Sequence, residues 1–325
     1  MTLARLGVVA IGRNEGKRLA RCFDSVPDGI GRVVYVDSGS TDDSVEQARQ
    51  RAIEVVLLDM SIPFTAARAR NAGFNRLLSL DPGLEFVQFV DGDCELLPGW
   101  WKSALEHMAS DPRIAVVCGR LRERFRNATL YNRICDLEWD TPEGETDASG
   151  GIAMMRTKAF REVGGFNDAL IAGEEPDLCF RLRAGGNRIL RIAVDMALHD
   201  AAMSRFSQWW RRTQRGGHAY AELEALHPGM CTHKNRSIAL WAGAFPVTAL
   251  ATAAFTSGLG LLLFLAYPLQ WARVTVRRAA MKDGWLDAAL YGASCVLGKF
   301  PELVGIVKYR MNRLRGRRSA LIEYK

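Results

Sequence analysis

Residues 85–95 read EFVQFVDGDCE, an apolar run that ends abruptly in two carboxylates separated by one glycine. Residues 86–90 carry β-branched and aromatic side chains without a helical period, which predicts a buried strand. Asp91 and Asp93 then lie where the strand leaves the sheet, the edge at which open α/β sheets bind ligands. Two carboxylates this close repel each other, and a divalent cation such as Mg²⁺ or Mn²⁺ would relieve the repulsion. A solvated turn after the strand is the alternative interpretation.

Strand-like and helix-like segments alternate over the first part of the chain. The strand-like segments are residues 6–11, 32–36, 53–58 and 86–90, and the helix-like segments are residues 17–26, 43–51 and 65–80. This alternation predicts an α/β fold with a largely parallel sheet.

The first strand is not followed by a glycine-rich nucleotide loop. The chain lacks Gly-x-Gly-x-x-Gly at that point and has no Gly-Lys-Ser/Thr phosphate loop, so dinucleotide-binding and P-loop proteins lose their main support. A nucleotide would therefore have to be held by carboxylates, arginines and a metal ion. Asp37, at the end of the second strand, can accept a hydrogen bond from a base or a ribose hydroxyl, or it can stabilise a turn.

The positive charge of the chain is concentrated at its C-terminal end. The net charge of the chain is +7. Residues 273–325 contain 12 Lys and Arg and 4 Asp and Glu, whereas residues 1–272 contain 31 Lys and Arg and 32 Asp and Glu. Nucleic acid is therefore not expected as a partner. A basic end after a long apolar segment is typical of chains beside an anionic cytoplasmic membrane leaflet. The seven scattered cysteines form no Cys-x-x-Cys pair, which suggests reduced thiols on the cytoplasmic side.

An uncharged stretch of 35 residues, 238–272, predicts contact with membrane lipids. One spanning helix needs about 20 residues, so this stretch is too long for one simple span and short for two. Basic residues flank both ends, which favours the cytoplasmic side for both. A helical hairpin that dips into or just crosses the bilayer satisfies both observations, and a buried pair of soluble helices is the alternative. Residues 285–307 predict a weaker membrane or interfacial helix, followed by a basic strip at 308–318.

Four short motifs occur in the first third of the chain. They are Asn14-Glu15 after the first strand, VDSGSTD at residues 36–42, ARNAG at residues 69–73 and DGD at residues 91–93. In this order and spacing, the motifs resemble those of the family 2 glycosyltransferases.

The resemblance implies a fold and a division of the chain. The expected fold is GT-A, an α/β Rossmann-like nucleotide-sugar-binding domain with a mixed central sheet, over residues 1–232. Residues 233–325 would form a C-terminal helical region with a membrane-embedded hairpin, an interfacial helix and a basic tail.

The resemblance also implies how a donor and a metal ion would be held. Asp37, with Asn14 and Glu15, would hold the nucleoside of a nucleotide-diphosphate sugar, with uridine as the favoured base. Asp93 and Asp91 would hold Mg²⁺ or Mn²⁺ and the diphosphate.

Basic and imidazole side chains complete the expected donor site. Arg70 is a candidate for the phosphates, and Arg211 or Arg215 for the anionic leaving group. His199 is a candidate metal ligand, although a lone histidine is more often structural.

Acidic residues open a helix in the second half of the domain, at Glu174-Glu175-Pro176-Asp177. Acids at a helix N-terminus are favoured by the helix dipole and can simply cap it. In the resembling family this position carries a Glu-Asp pair whose second acid is the catalytic base. Here the second acid is Glu175, which is therefore the favoured base, with Glu174 as the second candidate and Asp177 as a positioning residue.

Together these features predict an inverting, metal-dependent glycosyltransferase at the cytoplasmic face of a membrane. Its acceptor would be a hydroxyl of a lipid-linked glycan. A phosphosugar or nucleotidyl transferase would also need two carboxylates and a metal ion, and a non-catalytic nucleotide-binding membrane scaffold is a third interpretation.

Overall fold

The computed structural model describes residues 3–281, 284–317 and 319–323, and the chain divides into two compact units. The first unit comprises Met1–Phe125 and Trp139–Ala201, and the second comprises Arg126–Glu138 and Ala202–Lys325. The last residue of the predicted basic strip, Arg318, lies outside the described residues.

The helices and strands alternate through the first unit, and the second unit is helical. The strands are β1 (Leu6–Gly12), β2 (Arg32–Asp37), β3 (Glu54–Leu57), β4 (Phe86–Asp91), β5 (Cys94–Leu96), β6 (Ile114–Glu123), β7 (Gly144–Glu145), β8 (Ala153–Arg156) and β9 (Arg188–His199). The α-helices are α1 (Lys17–Asp24), α2 (Ser44–Gln50), α3 (Ala66–Leu80), α4 (Pro98–Ser110), α5 (Leu130–Glu138), α6 (Thr157–Glu162), α7 (Glu174–Ala184), α8 (Phe206–Leu226), α9 (Thr232–Ala239), α10 (Phe245–Phe255), α11 (Ala266–Ala279), α12 (Trp285–Leu297) and α13 (Lys299–Leu314). Short 3₁₀-helical segments occupy Leu3–Arg5 and Leu259–Leu265, and a π-helical segment occupies Leu240–Ala244.

The central sheet is mixed, with the strand order β3-β2-β1-β4-β8-β6-β9-β5 and β7 paired to β9. Strands β1 to β4 pair in parallel with one another, as the alternating pattern predicts. The sheet as a whole is not largely parallel but mixed, as the resemblance implies, because β8 runs antiparallel to both β4 and β6 whereas β6 and β9 are parallel. The segment between β6 and β8 contains α5 and β7, and it leads the chain into β8 in the direction opposite to that of β4 and β6.

Strand register places the predicted acidic residues at one edge of the sheet. Gly12 at the end of β1 is paired with Asp37 at the end of β2, and Ile11 is paired with Asp91 at the end of β4. Because parallel strands end at the same edge, the two carboxylates flank the end of β1.

Both faces of this sheet are covered by apolar side chains. Along β1, Val8 and Ala10 belong to one core cluster while Val9 belongs to the other, as the two-residue period of a strand requires. Helix α3 approaches β1 closely at Gly73, where an added Cβ would collide with Val9. The glycine of the ARNAG motif therefore has a packing role.

Among the described residues of the second unit, three helical segments are long and apolar enough to cross a membrane, by length and composition. They are Thr232–Phe255 with 24 residues, Leu259–Ala279 with 21 and Trp285–Leu314 with 30. Residues 238–272 alone are short for two spans, but the two helices extend past both ends of the uncharged stretch and so reach a membrane-spanning length. The predicted helix at 285–307 continues to Leu314 and takes up part of the basic strip.

Helix α8 packs against α13 within the second unit. Its Gly217 lies against the backbone of Glu302 in α13, and Gly305 of α13 lies against the backbone of Gln214 in α8. Small residues at both positions let the two helix backbones approach each other.

Candidate active site

Arg70 in α3 connects two of the predicted functional segments. Its side chain is buried, with Nη2 donating to Asp91 Oδ1 at 2.8 Å and Nη1 donating to Glu174 Oε1 at 2.7 Å. Burial alone lowers the pKa of the guanidinium, but the carboxylates of Asp91 and Glu174 outweigh burial and raise the pKa overall. The cation therefore holds the DGD turn against the start of α7. Both Nη groups already donate to carboxylates, and a contact of Arg70 with phosphate stays a prediction.

Glu175 follows Glu174 at the start of α7, and its carboxylate is buried. Its Oε1 accepts hydrogen bonds from the backbone N–H of Ser149, from Ser149 Oγ at 2.9 Å and from Cys179 Sγ at 3.0 Å. Burial raises the pKa of Glu175 and the nearby charge of Glu174 adds to it, while the donors of Ser149 and Cys179 lower it in part. A carboxylate held in one orientation with a raised pKa has the properties expected of a general base.

Asp93 and His199 meet on the other side of the DGD turn. Asp93 is buried, and its Oδ2 lies 3.4 Å from His199 Nε2. Cys94 Sγ lies 3.4 Å from Asp93 Oδ1, and the ligand atoms of the three residues all lie within 4.8 Å of one another. The ring of Trp139 packs edge-on against the imidazole, with centroids 4.8 Å apart. The carboxylate and the imidazole nitrogen are ligands that suit Mn²⁺ or Mg²⁺, so the residues fit the predicted cation.

Asp37 shapes the turn that follows β2. Its Oδ2 accepts hydrogen bonds from the backbone N–H groups of Gly39 at 3.0 Å and Ser40 at 2.9 Å, and its Oδ1 accepts from the Tyr35 hydroxyl at 3.1 Å. Gly39 has a φ of 82°, which favours glycine. The turn-stabilising interpretation of Asp37 is therefore realised, and its contact with a nucleoside stays a prediction.

Asn14 joins the loop after β1 to the loop after β2. Its side-chain Oδ1 accepts a hydrogen bond from the backbone N–H of Thr41 at 2.7 Å, and the backbone N–H of Asn14 donates to Ser40 Oγ at 2.9 Å. Glu15 is ion-paired with Arg18 at 2.9 Å. It also lies beside the DGD turn, since a Cβ added at Gly92 would be 3.1 Å from Glu15 Cγ. Asn14, Glu15, Asp37 and Asp91 therefore line the same edge of the sheet.

Three further predicted residues lie on helices α7 and α8. Asp177 is paired with Arg181 one turn later in α7, at 2.7 Å, which agrees with a positioning role. Arg211 and Arg215 lie on α8 in the second unit, Arg211 exposed and Arg215 half-buried. Their contact with a leaving group stays a prediction.

Several residues at the site were not assigned a role from the sequence. Ser149 contacts Glu175, and the backbone of Gly151 lies against the Arg70–Asp91 pair, where an added Cβ would be 3.0 Å from Arg70 Nη2. Glu123 approaches His199 across β6 and β9. The serine and glycine belong to a Ser-Gly-Gly turn that is visible in the sequence, but Glu123 has no local signal because its partner is 76 positions away.

Known proteins share parts of this sequence. Residues 8–164 match the sequence model of the family described as Glycosyl transferase family 2. The chain is 28% identical over 237 residues to a pre-mycofactocin glycosyltransferase of Mycobacterium tuberculosis, which covers 68% of this chain and 48% of the relative. It is also 28% identical over 171 residues to the succinoglycan biosynthesis protein ExoA of Rhizobium meliloti, covering 49% of this chain and 50% of the relative.

A solved structure shares the fold. The mannosyltransferase PcManGT from Pyrobaculum calidifontis, solved with GDP-Man and Mn²⁺, superposes with a TM-score of 0.64 at 18% identity, covering 95% of this chain and 88% of that chain.

These findings define the class of protein. Residues 8–164 form a glycosyltransferase family 2 domain, which confirms the predicted family for this part of the chain. The fold is GT-A, followed by C-terminal helices. The chain spans about half the length of the curated relatives that it matches.

Proposed function

We propose that this protein transfers a sugar from a nucleotide-diphosphate donor, a UDP-sugar, to a hydroxyl of a lipid-linked glycan. The observation that carries this proposal is the position of Arg70 between Asp91 and Glu174. One buried cation connects the carboxylates expected to face the diphosphate with the helix that presents the expected base. Binding of the donor diphosphate and deprotonation of the acceptor hydroxyl would therefore occur at one site.

The donor would bind along the edge of the sheet at the ends of β1, β2 and β4. Asp37, Asn14 and Glu15 would hold the nucleoside. Asp93 and His199, with support from Asp91, would hold Mg²⁺ or Mn²⁺ next to the diphosphate. When bound, the cation would neutralise charge on the departing nucleoside diphosphate.

Glu175 would take the proton from the acceptor hydroxyl as the hydroxyl oxygen attacks the anomeric carbon. The three donors on its Oε1 hold the carboxylate in place for this task, and its raised pKa increases its affinity for the proton. A single in-line displacement on the face opposite the leaving group inverts the configuration at the anomeric carbon. Glu174 supports this step by holding Arg70 rather than by accepting the proton.

The C-terminal helices support a lipid-linked acceptor. Three segments have the length and composition of membrane spans, and the residues after position 272 are strongly basic. Such a basic region is attracted to the anionic cytoplasmic leaflet. We therefore place the active site at the cytoplasmic face, where nucleotide sugars are made.

Donor hydrolysis by the detergent-solubilised full chain tests the proposal. Nucleotide sugars with uridine or guanosine bases would be offered with Mn²⁺, Mg²⁺ or a chelator, and release of nucleoside diphosphate would be measured. Metal-dependent release from one donor, lost in Asp93→Asn and retained in Asp24→Asn, is the expected result. Asp24 is a suitable control because its side chain is 65% exposed and lies in α1.

Other outcomes would identify the alternatives. Release of a nucleoside monophosphate would indicate phosphosugar transfer. If no donor binds with or without metal, the scaffold interpretation replaces the proposed transferase.

A further inference from the structure

Asp93, Cys94 and His199 form a compact group of three metal-ligating side chains. Cys94 in β5 and His199 in β9 are directly opposite each other in an antiparallel pair, so their side chains project from the same face of the sheet. Asp93 precedes Cys94 in the turn. The thiol therefore stands beside the oxygen and nitrogen ligands already assigned to Mn²⁺ or Mg²⁺, although neither of these hard cations favours sulfur.

The three side chains are close enough to share one metal ion. One ligand atom from each of them lies within 4.8 Å of the other two. Asp93 Oδ2 lies 3.4 Å from His199 Nε2, and the other carboxylate oxygen, Oδ1, lies 3.4 Å from Cys94 Sγ. With bonds of about 2.0–2.3 Å to a zinc ion, two ligands of a tetrahedron are separated by about 3.3–3.8 Å. The side chains must therefore adjust so that a single oxygen of Asp93 reaches this separation from both the sulfur and the nitrogen.

The Glu123 carboxylate lies beside the ring nitrogen of His199 that faces away from Asp93. The carboxylate is buried, its Oε1 accepts from the backbone N–H of Phe125 at 3.0 Å, and its Oε2 accepts from the backbone N–H of Ala201 at 2.9 Å. The same Oε2 lies 3.7 Å from His199 Nδ1. We assign the Nδ1–H tautomer on this basis, which leaves the Nε2 lone pair directed to Asp93. A carboxylate behind a metal-binding histidine is a common arrangement in zinc sites.

We propose that Asp93, Cys94 and His199 bind a thiophilic divalent cation of the Zn²⁺ class through one oxygen, one sulfur and one nitrogen atom. On binding, the Cys94 S–H bond breaks, the sulfur–metal bond forms, and the proton passes to solvent. A thiolate ligand favours Zn²⁺ over Mg²⁺ and Mn²⁺. Because Asp93 and His199 are shared, Zn²⁺ competes with the cation of the proposed transfer reaction.

Co²⁺ is a spectroscopic probe for this site that needs neither donor nor acceptor. The full chain would be purified in detergent, freed of metal with a chelator and titrated with Co²⁺. A thiolate-to-cobalt charge-transfer band in the near ultraviolet is expected, and Zn²⁺ should displace it. The band should be lost in Cys94→Ser and retained in Cys118→Ser, a matched buried thiol of the same unit.

Metal affinities separate a lost ligand from a damaged fold. In Cys94→Ser, the affinity for Zn²⁺ should fall by at least about tenfold, while Mn²⁺ binding, measured by electron paramagnetic resonance, should change much less. Absence of the band from the unmodified chain, or its persistence in Cys94→Ser, would overturn the proposal. Loss of Mn²⁺ and Zn²⁺ binding to the same extent would also overturn it, because the thiol would then confer no selectivity. None of these readouts depends on sugar transfer, so failure of the proposed function would be seen separately.

Discussion

Replacing Arg70 by methionine should destabilise the first unit strongly. The substitution removes two charge-assisted hydrogen bonds, of 2.8 Å to Asp91 and 2.7 Å to Glu174, and leaves two carboxylates close together without a cation. The Arg70 side chain is only 4% exposed, and removing one partner of such a buried pair costs about 3–5 kcal/mol. Arg76 in the same helix offers a matched control. It pairs with Glu54 at 2.6 Å, but its side chain is 44% exposed, so Arg76→Met should cost no more than about 1 kcal/mol.

Urea unfolding of the full chain in detergent, followed by hydrogen exchange of peptides from α3, β4 and α7, measures both variants. The free energy of unfolding of these segments should fall by at least about 2 kcal/mol more in Arg70→Met than in Arg76→Met. The loss of unfolding free energy in Arg70→Lys should lie between the losses in these two variants, because one ammonium group cannot reproduce the two directed contacts of a guanidinium. Equal losses in Arg70→Met and Arg76→Met would refute the conclusion that a buried bridge joins the two segments.

Further predictions concern the base, the metal ligand and helix packing. Glu175→Gln should lower kcat by about 10²–10⁴-fold with donor affinity unchanged, as measured by acceptor turnover and by calorimetric donor titration. Because burial raises the pKa of Glu175, kcat/KM should rise with pH through that pKa. Ser149→Ala should move this rise to higher pH, since it removes a hydrogen-bond donor to the carboxylate; an unmoved pH profile would contradict the assignment. The raised pKa also makes stability depend on pH. The contribution of Glu175 to the free energy of unfolding is fully present below the pKa that it has in the unfolded chain, and it is lost as pH rises through its pKa in the folded chain. In thermal unfolding, Glu175→Gln should therefore stabilise the chain at alkaline pH and not at acidic pH. Asp93→Asn should abolish Mn²⁺ binding detected by electron paramagnetic resonance, and undiminished binding would remove Asp93 from the metal site. In α8, Gly217→Ala should destabilise the second unit in thermal unfolding because the methyl group collides with the backbone of α13, whereas Gly216→Ala, where the added Cβ has open space, should be neutral or stabilising by up to about 1 kcal/mol.

Local patterns were sufficient for much of the fold. The apolar runs, the turn residues and the carboxylates at strand ends depend on neighbours in the chain, so β1 to β4 and the motifs on their ends could be predicted. The two membrane-length helices around residues 238–272 were underestimated because a charge-free window ignores flanking residues that continue the helix. The direction of β8 was also out of reach, since the direction of a strand depends on where the preceding segment leaves the sheet.

The sequence by itself determined the class of protein, the edge of the sheet that carries the acids and the identity of most candidate residues. The tertiary structure decided which of these residues are partners. It joined Asp91 to Glu174 through Arg70, residues that are up to 104 positions apart, and it brought Cys94 beside His199 through one antiparallel pair. Such contacts depend on long-range strand register and helix packing. Neither the register nor the packing can be predicted from a residue and its neighbours in the chain, because many sequences with the same pattern could place different side chains opposite each other.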